Sequence, residues 1–282
     1  MLQRLYDWTL GLAAHRHALL ALAVISFAER INKLSVDGVV LTGDISIAGR
    51  LVLHLSLLER VLQVPVYFVL GNHDYWGGEI AAVRKQMREL SNLSGFLRYL
   101  PTSPYTVLTP NTAIVGHDGW YDALYGDYEN SRFIMRDWHA ISDFVTSGAM
   151  ETSLHGKRPV FSNLVPKCRE LAHEAVQHMH DGIKSAVRYH KHIIVATHYP
   201  PFDEAHRHRG QPSNLTVTPW YTSKMCGDML RDAARAFPDV EFTVLAGHTH
   251  GHFRGKIDRN LTCYVGGADY GDPGVADVLI VK

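Results

Sequence analysis

Four segments of this chain end an apolar run with side chains that bind metal ions. Val39-Val40-Leu41-Thr42-Gly43-Asp44 delivers a carboxylate. Val64-Pro65-Val66-Tyr67-Phe68-Val69-Leu70 runs into Gly71-Asn72-His73-Asp74, which offers an amide, an imidazole and a second carboxylate. Ile193-Ile194-Val195-Ala196-Thr197 ends at His198, and Phe242-Thr243-Val244-Leu245-Ala246 enters Gly247-His248-Thr249-His250. Imidazoles beside oxygen donors suit Mn²⁺, Fe²⁺ or Zn²⁺ better than Ca²⁺. Two such ions roughly 3.5–4 Å apart can clamp a phosphoryl group, stabilising the attacking and leaving oxygens together. A site of that kind needs one carboxylate able to bridge both ions. Asp44 is the natural bridge, because Gly43 leaves room for close approach of backbone and metal. His248 and His250 alternate in a Gly-flanked turn and can face two different ions.

These ligands must be carried by strand ends, and the apolar periodicity supplies the strands. Runs at 38–43, 65–70, 112–115, 192–197, 240–246, 260–265 and 276–281 predict strands. Residues 1–12 have room for a short first one. Helices are expected at 13–34, at 50–63 with Leu51, Leu55, Leu58 and Leu62 on one face, and around Ile80, Val83, Met87 and Leu90. Further helices are expected at about 167–190 and at 223–236, where Pro238 stops the chain. Alternating strands and helices argue for a layered α/β fold, with ligands gathered at the carboxyl edge of a sheet. Residues 121–165 lose periodicity and are rich in Tyr, Asp, Arg and Trp, which predicts an insertion lying over the site as a lid.

Composition narrows the class. A 282-residue chain with 46% hydrophobic and 20% charged residues fits a globular protein, and the motifs span enough of it to predict a single domain over 1–282. Lys plus Arg and Asp plus Glu are equal at 28 each, so no general affinity for nucleic acid or an anionic membrane is expected. Cys168, Cys226 and Cys263 are too few and scattered for a disulfide framework, and free thiols favour a reducing compartment, hence a cytoplasmic location. The apolar stretch from Ala18 to Ala28 is too short to span a bilayer and reads as a buried first helix rather than a signal peptide.

The order of motifs, Gly-Asp, then Gly-Asn-His-Asp, a lone His after a strand, and Gly-His-Thr-His, resembles the calcineurin-like metallophosphoesterase superfamily from about residue 38 to 270. The resemblance implies a four-layered α/β/β/α sandwich, two mixed sheets flanked by helices. It implies a dinuclear metal centre with Asp44 bridging, Asn72, His198 and His248 completing one site, and His250 in the other. His73 would donate to a phosphoryl oxygen or the leaving group, with Asp74 holding its ring. A metal-bound hydroxide would attack phosphorus, hydrolysing a phosphate mono- or diester.

The amino end departs from the superfamily pattern, which starts with Asp-x-His. Here Asp7-Trp8-Thr9 puts Thr9 where the histidine belongs, although Asp7 lies 37 positions before Asp44, as the pattern requires. Three accounts stay open: an incomplete or mis-assigned start, a weakened second metal site with Asp7 as a ligand, or substitution by His15 or His17. The same departure supports the rival reading, a non-catalytic scaffold or binding member with a degraded metal site.

Around this core lie further candidates. His117 and Asp118 follow the strand at 112–115 and have either a role at the site rim or a structural one. His206, Arg207, His208 and Arg209 form a basic cluster after Pro200-Pro201, either a cationic lid that meets phosphate or a solvated loop. Trp120, Tyr121, Tyr125 and Trp138 either stack a base or sugar or pack a small core. The expected partner is a small-molecule or protein phosphoester, and the oligomeric state is left open.

Overall fold

The structure, a computed structural model, describes residues 20–153, 156–208, 211–268 and 273–281. The expected first strand, together with Asp7, Thr9, His15 and His17, lies outside the described residues. So does Arg209.

Helix α1 covers 20–32 and turns Phe27, Ala28 and Ile31 into the core. Strand β1 (Val39–Thr42) follows, then α2 (Leu51–Leu62), β2 (Val66–Val69), α3 (Ile80–Leu93) and β3 (Leu97–Tyr99). The three strands form one sheet, parallel throughout, so it is not mixed. A second sheet has the order β12-β13-β11-β8-β5-β4. Its members are β4 (Thr106–Val107), β5 (Thr112–Gly116), β8 (His192–Ala196), β11 (Glu241–Ala246), β12 (Phe253–Asp258) and β13 (Leu261–Val265). The inner four run parallel, while β4 and β12 are antiparallel edges. Between β5 and β8 come α4 (Asp137–Ala140), α5 (Ser142–Thr146), the hairpin β6 (Met150–Ser153) and β7 (Gly156–Pro159), and the long α6 (Phe161–Ala186). A short hairpin, β9 (Arg207–His208) with β10 (Gln211–Pro212), and α7 (Lys224–Ala236) precede β11.

Side-chain alternation along the strands produces four layers. Val66 and Phe68 point to the helices, joining Leu51, Leu55, Leu58 and Met87 in one core. Val40, Tyr67 and Val69 point the other way and meet Ile114, Ile194, Ala196 and Leu245 between the two sheets. Ala113, Val115, Ile193, Val195 and Val244 face Met179 and Ile183 of α6 and Leu230 of α7. The helix–sheet–sheet–helix order is therefore what the resemblance implied.

Several local expectations change. The 276–281 run forms no ladder; Val281 instead packs on the inter-sheet core. Strand β12 went unread because its burial is patchy, as befits an edge strand. Helix α6 starts at Phe161, ahead of Pro166, whose missing N–H costs only one backbone bond near the helix start. The 121–165 segment sends Tyr121, Trp138, Ile141 and Phe144 into the main core, so it packs into the body instead of covering it as a lid. The three cysteines are free and buried. Among the described residues no helix is long and apolar enough to cross a membrane.

Candidate metal centre

Two parallel strands of the first sheet, β1 and β2, and three of the second, β5, β8 and β11, are each followed by a loop that carries a predicted polar residue. The loops after β1 and β2 touch through glycines. A Cβ on Gly43 would lie 2.5 Å from the Gly71 nitrogen, and one on Gly71 would lie 2.2 Å from Asp44 Oδ1, so neither position accepts a side chain. Asp44, His248 and His250 all adopt left-handed backbone (φ 54°, 67° and 55°), an arrangement unfavourable for residues with a Cβ. Non-glycine residues held this way cluster at functional sites.

The side chains converge on His198. Its Nε2 lies 3.1 Å from Asn72 Oδ1, 3.1 Å from His248 Nδ1 and 3.4 Å from Asp44 Oδ1. Its other nitrogen, Nδ1, is 2.7 Å from the Thr42 carbonyl. A carbonyl only accepts, so Nδ1 carries the proton and Nε2 presents a lone pair to the cluster. His248 Nε2 lies 3.3 Å from the Trp220 carbonyl, so its Nδ1 likewise points a lone pair inward. Tyr199 and Tyr221 hold this ring, their centroids 4.5 and 4.7 Å from it.

Asn72 is oriented by a residue that no sequence motif marked. Asp137, fully buried at the start of α4, accepts from Asn72 Nδ2 and from Trp76 Nε1, both at 2.8 Å into Oδ1. Because the amide nitrogen is taken, the Asn72 oxygen must face His198. Four acceptor atoms thus meet with no hydrogen between them, and three of the residues, Asp44, His198 and His248, have ligand atoms within 4.8 Å of one another. A divalent cation would satisfy such a set.

Electrostatics agree. Burial is the largest cause raising the Asp44 carboxyl to about 7; the His73 amide opposes it and the charge of Asp137 adds to it. Burial likewise lowers His198 to about 4, against the Thr42 carbonyl, and holds His248 well below its ordinary value. Both imidazoles are neutral near pH 7, the form that binds metal.

His73 sits at the mouth, its ring stacked on Trp76 at 3.7 Å between centroids and its Nδ1 3.8 Å from Asp44 Oδ2. Burial lowers its pKa to about 3, with His198, His250 and Arg136 adding to the effect. His250 is exposed at the same mouth, outside the compact cluster.

Asp74 does not serve the His73 ring as expected. Its Oδ1 accepts from the Ser46 amide at 2.6 Å and its Oδ2 from the Gly71 amide at 2.8 Å, tying the β1 and β2 loops together. The adjacency of His and Asp in sequence misled, because the two side chains leave the turn in different directions. His117 is buried and faces His178 of α6, with Nδ1 accepting from the Gly119 amide, so it is not a rim residue. Asp118 anchors a buried network: Oδ1 takes the Leu70 amide, and Oδ2 takes the Tyr75 and Tyr99 hydroxyls and Arg84 Nε. Arg207 donates from Nε to the Glu204 carbonyl, and its guanidinium lies by Phe253.

A two-sheet α/β fold with a carboxylate, an amide oxygen and two imidazoles at strand ends presents a set of groups that could hold a metal ion. The sequence matches the calcineurin-like phosphoesterase family over residues 14–252, and the chain belongs to that family. Among solved structures, a dimetal phosphatase from Danio rerio is similar, with 16% identity and a TM-score of 0.50, over 89% of this chain and 77% of that one. GAP50, the anchor in the inner membrane complex of Plasmodium, is similar at 12% identity and a TM-score of 0.46, over 92% of this chain and 71% of that one. No curated protein matches the sequence.

Proposed function

We propose that this chain hydrolyses a phosphate mono- or diester, of a small molecule or a phosphoprotein, with divalent cations held at Asp44, Asn72, His198 and His248. The observation that carries the reading is the convergence of acceptor atoms on His198 Nε2 without a donor among them. When bound, Mn²⁺, Fe²⁺ or Zn²⁺ would act as a Lewis acid on phosphoryl oxygens and lower the pKa of water. Asp44 has one oxygen toward the cluster and the other toward His73, which supports a role in holding two ions, and His250 would belong to the outer one.

The chain's own residues supply the rest. Trp76 fixes the plane of the His73 ring, so the imidazole N–H can donate to an oxygen of the phosphoryl group or leaving group. An arriving phosphate raises the His73 pKa, since a nearby negative charge favours the protonated form. Asp137 keeps Asn72 from turning its nitrogen inward. The free, buried cysteines support the reading of a reducing compartment.

The test is hydrolysis of an aryl phosphomonoester and an aryl phosphodiester by metal-stripped protein as Mn²⁺ is titrated. Turnover should appear with metal and vanish in Asp44→Asn. His73→Ala should lower kcat by about 10²–10⁴-fold while leaving Mn²⁺ affinity near wild type. Mn²⁺ binding without turnover on either ester would favour the scaffold reading that Thr9 suggests.

A further inference from the structure

The turn that supplies Asp137 also places a cation at the mouth of the site. Arg136 immediately precedes α4 and is exposed. Its guanidinium carbon lies 4.5 Å from the centre of the Trp76 ring, the ring that stacks on His73. Its charge reaches His73, where it adds to the burial that depresses the imidazole. Among the described residues neither a hydrogen bond nor an ion pair engages this exposed guanidinium, so its donors are open to solvent beside the Trp76 ring. Most exposed arginines are simply solvated. This one is held: Trp76 is pinned through Nε1 to Asp137, the residue next to it. An arginine resting on an aromatic face gives up less freedom on binding, and its planar fork matches phosphate oxygens two at a time.

We infer that Arg136 binds a phosphate oxygen of the substrate and sets the phosphoryl group between Asp44 and His73. The inference rests on the phosphoesterase reading above. On this inference the 121–165 segment takes a part in recognition. Arg136 lies 62 positions after Asp74 in an aperiodic stretch, where no motif could single it out.

Two variants of the full chain separate charge from packing. Arg136→Met keeps an apolar stem against Trp76 and removes the charge, while Arg136→Lys keeps the charge and loses the fork. Binding of inorganic phosphate to the Mn²⁺-loaded proteins is measured by calorimetry, with Mn²⁺ affinity and thermal midpoint recorded for each. Arg136→Met should weaken phosphate binding by about tenfold or more, and Arg136→Lys by less, with both controls at wild-type values. Phosphate affinity in Arg136→Met within about twofold of wild type, or a parallel loss of Mn²⁺ affinity, would overturn the inference. Aryl phosphoester turnover by the wild type distinguishes the two failures. Turnover intact with Arg136→Met unchanged sinks only the role of Arg136. A wild type that neither turns over nor binds phosphate sinks the phosphoesterase reading and this inference with it.

Discussion

Asp44 and Asp118 both follow the carboxyl ends of parallel strands, one in each sheet, yet their surroundings differ in what they lack. Asp118 is saturated by protein donors: one amide, two phenols and a guanidinium. Burial alone would raise its pKa, but Arg84, His117 and the tyrosines overcome this and hold it below the ordinary carboxylate range. Asp44 receives the His73 amide at 3.0 Å and otherwise faces lone pairs, so burial prevails and its pKa rises to about 7. A buried carboxylate whose partners are all supplied by the chain belongs to the fold. One whose neighbours are mostly acceptors is a candidate cation ligand, kept at some cost to stability.

The contrast can be broken first at Asp44. Asp44→Asn should abolish metal-dependent turnover, yet raise the stability of the metal-free protein by about 0.5–2 kcal/mol near pH 8, since it removes a largely buried charge that, among the described residues, accepts only the His73 amide. Denaturant melts of metal-free protein, read beside the hydrolysis assay, check both halves. A loss of stability equal to that of a core mutant would erase the distinction. Asp118→Asn should do the reverse, costing about 3–5 kcal/mol because Arg84 loses its buried partner. In folded protein of that variant, Mn²⁺ affinity should stay close to wild type.

Smaller effects sharpen the comparison. Asp137→Ala frees Asn72 to rotate, so Mn²⁺ affinity measured by calorimetry should fall by about 10–100-fold. The pH dependence has a definite sign for each carboxylate. Metal must displace the proton that Asp44 holds below about 7, so affinity should fall as pH drops through that value, by up to about tenfold per pH unit. In the metal-free protein, the stabilising preference for protonated Asp44 is present at low pH and lost as pH rises through about 7. Asp118 behaves oppositely: its contribution is present above the ordinary carboxylate pKa and lost on acidification through its depressed value.

Residue types and their spacing were sufficient for the main strands and for singling out Asp44, Asn72, His198 and His248, which the fold gathers in one cluster, because strand burial leaves a local apolar run and these residues follow it directly. The same local signals placed α2, α3, α7 and most of α6, and their alternation gave the layered α/β class, while the order of layers followed from the resemblance to the metallophosphoesterase superfamily. What tertiary structure alone decided were the partnerships. Asp137 joins Asn72 across 65 positions, Trp76 steadies His73 while Asp74 braces two loops, and Arg136 comes to rest on Trp76 from a stretch without periodicity. Hydrogen bonds and ring contacts between distant residues impose no pattern on neighbouring positions. Only the packing of the two sheets, with the 121–165 segment pressed into the core, brings them within reach.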